Sequence, residues 1–134
     1  MKLSRTTRFL AAATALVGVA AAPSVAMAKK DPETRLAERL EGRVAGEPVR
    51  CITNNTIRSS RIYDRTAIVF EVGNTLYVNR PDNGASALRS NDVMVTKPTT
   101  NQLCNIDTVQ MRDSSGFYTG SVFLGDFVPY KKAG

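Results

Sequence analysis

Ala67-Ile-Val-Phe-Glu-Val-Gly-Asn-Thr-Leu-Tyr-Val-Asn-Arg80 decides the fold class of this chain. Two runs rich in β-branched and aromatic residues meet at Gly73-Asn74. A two-residue loop of that kind suits the primed turns, whose positive φ angles match the twist of the flanking strands. With Val72 and Thr75 flanking the turn, Phe70 faces Tyr77 and Ile68 faces Asn79. Side chains alternate across a strand, so Ile68, Phe70, Val72 and Tyr77 share one face, while Val69, Glu71, Leu76 and Val78 share the other. The first is the expected core face, because the second carries the charge of Glu71.

At the other end of the chain, residues 1–28 have the three parts of a secretory signal peptide. Lys2, Arg5 and Arg8 make a positive start, Phe9 to Ala22 an uncharged apolar run, and Ala26-Met27-Ala28 a small-x-small cleavage pattern. Pro23-Ser24 interrupts the run before the roughly 20 apolar residues of a membrane span accumulate. No cysteine stands at the cleavage site to carry a lipid, and Arg5 and Arg8 are not a twin-arginine pair, so ordinary unfolded export is expected. Cleavage after Ala28 leaves 106 of the 134 residues, the size of one domain.

The charge changes with it. The whole chain has 18 basic and 12 acidic residues, net +6; without Lys2, Arg5 and Arg8 the balance is +3. That weak basic bias, in an exported chain, argues against a nucleic-acid partner. Both cysteines, Cys51 and Cys104, fall in the exported part, and a disulfide between them is the simplest state in an oxidising compartment. Closing a loop of that length contributes about 4 kcal/mol in the chain-entropy model.

Residues 29–46 form an N-terminal segment with one short helix. Asp31-Pro32-Glu33 is helix-start chemistry, Leu36 and Leu40 give a narrow apolar stripe, and Gly42 is a natural stop. A helix of about ten residues is not stable alone in water, so it leans on its neighbours or frays. Residues 47–130 form the β-domain. Glu47 to Ile52 leads into a first strand, and Thr53 to Thr56 is a polar bend, although Asn54-Asn55-Thr56 formally matches a glycosylation acceptor. Ile57 to Tyr63 is a second strand, turned into the central hairpin by Asp64-Arg65-Thr66. Arg80-Pro81-Asp82-Asn83-Gly84 is dense in turn residues but has too few acids for a calcium loop. Asp92 to Lys97 reads as a strand, as does Gln102 to Arg112 with Cys104 and Asp107 in it. Asp113 to Gly116 turns the chain into Phe117 to Leu124, and Phe127 to Tyr130 closes it, with residues 131–134 as a frayed tail. About six or seven short strands and one helix indicate a mainly β, antiparallel single domain, either a small barrel or a sandwich.

Several of these residues carry a resemblance. Pro48-x-x-Cys51-Ile52, Ile62-x-Asp64 before Ile68-x-Phe70, Tyr77-x-Asn79, Leu103-Cys104-x-x-Asp107-Thr108 and Leu124-Gly125-x-Phe127-x-Pro129 stand in that order. The pattern, covering about Leu36 to Tyr130, resembles a domain-of-unknown-function family of small exported Gram-negative bacterial proteins. The resemblance implies two further cysteines, one between Asn83 and Leu88 and one near Val122-Phe123. This chain has neither, which leaves Cys51 and Cys104 as the remaining bridge. It implies export and a β-fold, and no activity.

The catalytic inventory is thin. There is no histidine, no Gly-x-Ser-x-Gly elbow and no phosphate-cradling glycine loop. Two cysteines without histidine fall short of a structural zinc set, so neither metal nor cofactor is expected. Paired carboxylates are the one catalytic option, with Asp64, Asp107 and Asp126 as candidates. The better readings are Asp64 and Asp126 as turn residues that bond local amides, and Asp107 as a partner for an arginine or for buried backbone. Arg50, Arg58, Arg61 and Arg65 are the densest basic segment, either an anion-binding face or charges that keep a strand edge from pairing. Phe117 and Tyr118 are adjacent and point to opposite sides of a strand, so one of them, Tyr118 as the binding candidate, is exposed. The expectation is a non-catalytic periplasmic module that binds a protein or anionic ligand, or is structural; an inhibitor of a cell-wall-degrading enzyme is one concrete form. The alternative is a carboxylate-dependent hydrolase.

Protein recovered after export should begin at Lys29. Intact-mass measurement checks it, and a retained Met1 contradicts it.

Overall fold

The described residues of the chain form one helix, α1 (Pro32–Arg39), and ten strands. These are β1 (Arg43–Ala45), β2 (Cys51–Thr53), β3 (Ile57–Tyr63), β4 (Ala67–Val72), β5 (Thr75–Asn79), β6 (Val93–Val95), β7 (Gln102–Cys104), β8 (Thr108–Arg112), β9 (Tyr118–Phe123) and β10 (Phe127–Lys132). The computed structural model describes residues 13–20 and 29–134. Lys2, Arg5, Arg8 and Ala26-Met27-Ala28 lie outside the described residues; residues 13–20 are exposed and belong to no helix or strand. Among the described residues no helix is long and apolar enough to cross a membrane.

The central hairpin closes in the register its turn dictates: Val72 pairs Thr75, Phe70 pairs Tyr77 and Ile68 pairs Asn79. Gly73 takes a φ of 56°, the left-handed value that a primed turn needs at its first position. The hairpin is the middle of a five-stranded antiparallel sheet in the order β1-β10-β5-β4-β3. A two-stranded sheet, β2-β7, and a three-stranded sheet, β6-β8-β9, complete the fold. None of the sheets closes on itself, so the architecture is a sandwich and not a barrel.

Between the large sheet and the small ones lies the main core. Ile62, Ile68, Phe70 and Phe127 from the large sheet meet Ile52 and Leu103 from β2-β7 and Val109, Met111 and Val122 from β8-β9. Phe70 and Phe127 pack with ring centroids 5.7 Å apart and planes tilted by 58°, a favourable aromatic geometry. The opposite face of the hairpin, expected to be the exposed one, is buried too. Leu36 of α1 lies against Tyr63, Ala67, Val69, Leu76 and Val78, with Leu40 and Tyr130 at the margin. Glu71 did not expose that face because it sits at its rim, 3.5 Å from the Arg39 guanidinium and 3.1 Å from the Ser59 hydroxyl.

The helix forms as its residues require. Asp31 caps it by accepting the Thr34 N–H, Pro32 opens the first turn, and Gly42 ends the segment at a φ of 75°. Its few turns could not persist alone. Burial of Leu36 docks it, worth about 1.5–3 kcal/mol for such a side chain.

Ten strands replace the six or seven expected, and two of the additions have clear causes. First, β1 lies inside the segment expected to hold only the helix, and pairs with the far end of β10: Val44 faces Lys131 and Arg43 faces Lys132. Residues 131 and 132 are therefore sheet and not frayed tail. Second, Gln102 to Arg112 is two strands in two different sheets. The chain breaks at Asn105-Ile106, where the Asp107 N–H returns to the Cys104 carbonyl at 3.0 Å. A period-two pattern carries no sign of such a corner.

The passage from β9 to β10 crosses between layers and is held by one side chain. Asn79 is fully buried; its Nδ2 donates to the Gly125 carbonyl at 2.7 Å and its Oδ1 accepts the Gly125 N–H at 2.9 Å. A Cβ on Gly125 would lie 2.3 Å from the Arg80 carbonyl oxygen, so this close approach admits only glycine.

Asn79→Ala would leave two buried backbone groups of Gly125 without partners. At about 1–3 kcal/mol for each, the loss should be about 2–6 kcal/mol, read as a lowered urea midpoint with an unchanged m-value.

Candidate functional site

Cys51 and Cys104 stand directly opposite each other in the β2-β7 ladder and are joined, with an S–S distance of 2.08 Å. Among the described residues no cysteine is free. The bridge ties β2 to β7 across a sequence separation of 53, a stretch that contains the central hairpin.

The three candidate acids do not form a catalytic pair. Asp64 sits in the β3-β4 turn and accepts the Ser90 N–H at 2.6 Å. That bond holds its carboxyl below the ordinary carboxylate value against the opposing effect of burial, helped by the Ser90 side chain and the charges of Lys29 and Arg35. Asp107 is at the corner between β7 and β8 and not within a strand, as expected of it; its Oδ2 accepts the Cys104 N–H at 2.7 Å. Asp126 is exposed and accepts the Asn105 amide at 2.7 Å. Asp64 and Asp126 thus bond groups distant in sequence, not local amides. Asp107 lines a small cup of about 240 Å³ with Lys97, Thr108 and Gln110, and no second carboxylate lines it. Among the described residues no three Cys, Asp or Glu side chains cluster as a metal site.

The four arginines separate. Arg50 is exposed beside the disulfide, where its carbonyl accepts the Asn105 N–H. Arg58 occupies the bulge where the β3-β4 register shifts between Ile57 and Ser59. Arg65 lines a shallow hollow with Lys29, Asp64, Arg89 and Ser90. Its φ of 54° makes it the one non-glycine residue in the left-handed region among those described. Arg61 alone joins a cleft, one of about 500 Å³ with Arg35, Ser60, Ile62 and the β6 residues Val93 and Met94. It adjoins a second hollow shared by Arg35, Arg39, Arg61 and Tyr63. Nothing local in the sequence singles out the helix arginines Arg35 and Arg39. Their charge becomes relevant only once α1 docks beside β3.

A third surface is the outer face of the three-stranded sheet. Val109, Met111 and Val122 point into the core, so the alternate residues Thr108, Gln110, Ser121 and Phe123 point out. Tyr118 is on the same side, its hydroxyl 2.7 Å from the Ser121 hydroxyl oxygen. Exposure is 57% at Tyr118, 49% at Phe123 and 71% at Phe117. The expected division of Phe117 and Tyr118 into one inside and one outside therefore fails. Phe117 precedes β9, in the turn held by Asp113, whose Oδ1 accepts the Ser115 and Phe117 N–H groups. No local pattern marks Phe123 as exposed; its exposure follows from which side of β9 meets the large sheet.

Comparison of the chain with protein families, with curated proteins and with solved structures finds no match.

Acid should weaken the fold partly through Asp64. Its folded-state pKa is depressed, so its contribution is complete above the unfolded-state value and is lost as pH falls through the folded-state value. Urea midpoints should therefore fall below about pH 4, and Asp64→Asn should flatten part of that decline.

Proposed function

We propose that this chain is an exported, non-catalytic β-module of the periplasm, processed after Ala28, that binds a partner through an exposed sheet face. One observation carries the reading: Tyr118 and Phe123 stand in the open on the outer side of β6-β8-β9, in a domain that buries Phe70 and Phe127 completely or nearly so. Exposed aromatic side chains rimmed by polar groups favour association, since they present large apolar area at little cost in side-chain entropy. Gln110, Arg112 and Thr108 supply such a rim. The disulfide and the apolar leader support export. The family resemblance of small exported Gram-negative proteins points the same way. The dispersal of Asp64, Asp107 and Asp126 favours binding over carboxylate-dependent hydrolysis, since acid-base work needs two groups converging on one bond.

The test compares retention of periplasmic proteins by the wild-type chain and by a Tyr118→Ser, Phe123→Ser variant. A partner held through this face should bind the variant about tenfold or more weakly, the loss of an aromatic anchor, with the melting temperature little changed. Equal retention by both removes this face from the reading. A hydrolytic activity abolished by Asp107→Asn in a protein of unchanged stability replaces the module by the hydrolase.

A further inference from the structure

We propose that the open edge of β3 is a docking site for an extended acidic peptide, which adds a strand to the large sheet and sets its carboxylates against Arg35 and Arg61. The inference rests on the reading of the chain as a binding module and adds a second surface and a partner class.

The argument begins with the hairpin. A two-residue turn makes its flanking pair, Val72 and Thr75, a hydrogen-bonded pair, and the alternation then turns Phe70 and Ile68 toward β5. Glu71, Val69 and Ala67 therefore bond the other way, to Ser59, Arg61 and Tyr63 of β3. It follows that Ser60 and Ile62 direct their N–H and C=O groups away from β4. Since β3 ends the sheet, no strand among the described residues receives them. They face a cleft of about 500 Å³ whose far wall is Val93 and Met94 of β6, itself the edge of its own sheet. A row of unpaired backbone groups beside an open slot is the template used in strand addition.

Charge selects what enters. Among the described residues neither Arg35 nor Arg61 makes an ion pair, and Arg35 lies 6.0 Å over the Tyr63 ring. Of the nearby acids, Glu38 holds Lys30 and Glu71 holds Arg39; Asp92, which lines the cleft, bonds the Thr119 hydroxyl and keeps its charge, and Asp64 feels Arg35, so two arginines face one lining carboxylate in the cleft. Arginines at an edge repel cationic strands and admit carboxylates, so the charges that block indiscriminate pairing also specify a partner. Parity gives the pattern. Arg61 is on the α1 side of the sheet with Val69, and Ile62 is on the core side with Ile68. An added strand would alternate acidic residues toward Arg35 and Arg61 with apolar residues toward Ile62 and Met94.

The probe is a short end-blocked peptide alternating glutamate and valine, titrated onto the disulfide-bonded protein and followed by labelled-peptide anisotropy and by amide exchange. Binding should weaken about tenfold or more when glutamine replaces glutamate, when Arg61→Gln is introduced, or when salt is raised. The amides of Ser60 and Ile62 should become protected, and methylating alternate backbone nitrogens of the peptide should abolish binding. Tyr118→Ser should leave peptide binding unchanged, which separates this site from the aromatic face. Binding indifferent to Arg61→Gln or to backbone methylation overturns the proposal, as does no binding at all. A sulfated glycan that binds equally well while Ser60 and Ile62 still exchange freely overturns it in favour of simple anion capture. Cleavage of the peptide overturns the module reading itself.

Discussion

The double bond between the Asn79 side chain and Gly125 is the constraint on which the layering depends. A carboxamide offers one donor and one acceptor side by side, as a peptide group does, so Asn79 can stand in for a strand where none can pass. It does so where the chain leaves β9 in one layer and enters β10 in the other. Leu124 and Phe127, on either side of Gly125, are both buried, so an unanchored crossing would displace core side chains. Low dielectric strengthens both bonds and makes their loss costly. Glycine at position 125 and asparagine at position 79 are thus one requirement written at two places in the chain.

The second determinant is that the large sheet is buried on both faces. Its inner face packs on the small sheets and its outer face on α1, giving three layers in a chain of modest length. A small domain buries a low fraction of its surface, so covering both faces of the central hairpin uses its apolar residues more fully. The disulfide adds stability of another kind, by restricting the unfolded chain across the segment that contains this hairpin.

The proposed binding surfaces lie where this packing leaves the molecule uncovered. Among the described residues the outer face of β6-β8-β9 has no helix over it, and β3 has no strand beyond it. Docking of α1 brings Arg35 to Arg61, which no local pattern relates. The acids are placed otherwise: each is spent on a turn or a corner, where a carboxylate fixes the chain.

The central hairpin, its register, the helix cap and stop, and the pairing of the two cysteines were determined by local chemistry, and so were legible. A glycine turn sets register through backbone geometry alone, and the only two cysteines of a chain have one way to pair within it. The same local reasoning misplaced Glu71, because a charge was taken to expose a whole face when it marks only its rim. It ran Gln102 to Arg112 together, because a corner made by Asp107 on the Cys104 amide leaves the alternation of side chains intact. It missed β1 and the end of β10, three-residue pairings whose partner lies at the far end of the chain. Which aromatics face out, and which arginines meet, were decided only by tertiary structure. Exposure of Phe123 depends on the side of β9 that meets the large sheet, and the Arg35–Arg61 cleft depends on where α1 docks; both are set by long-range burial, which carries no signature within a strand or a helix.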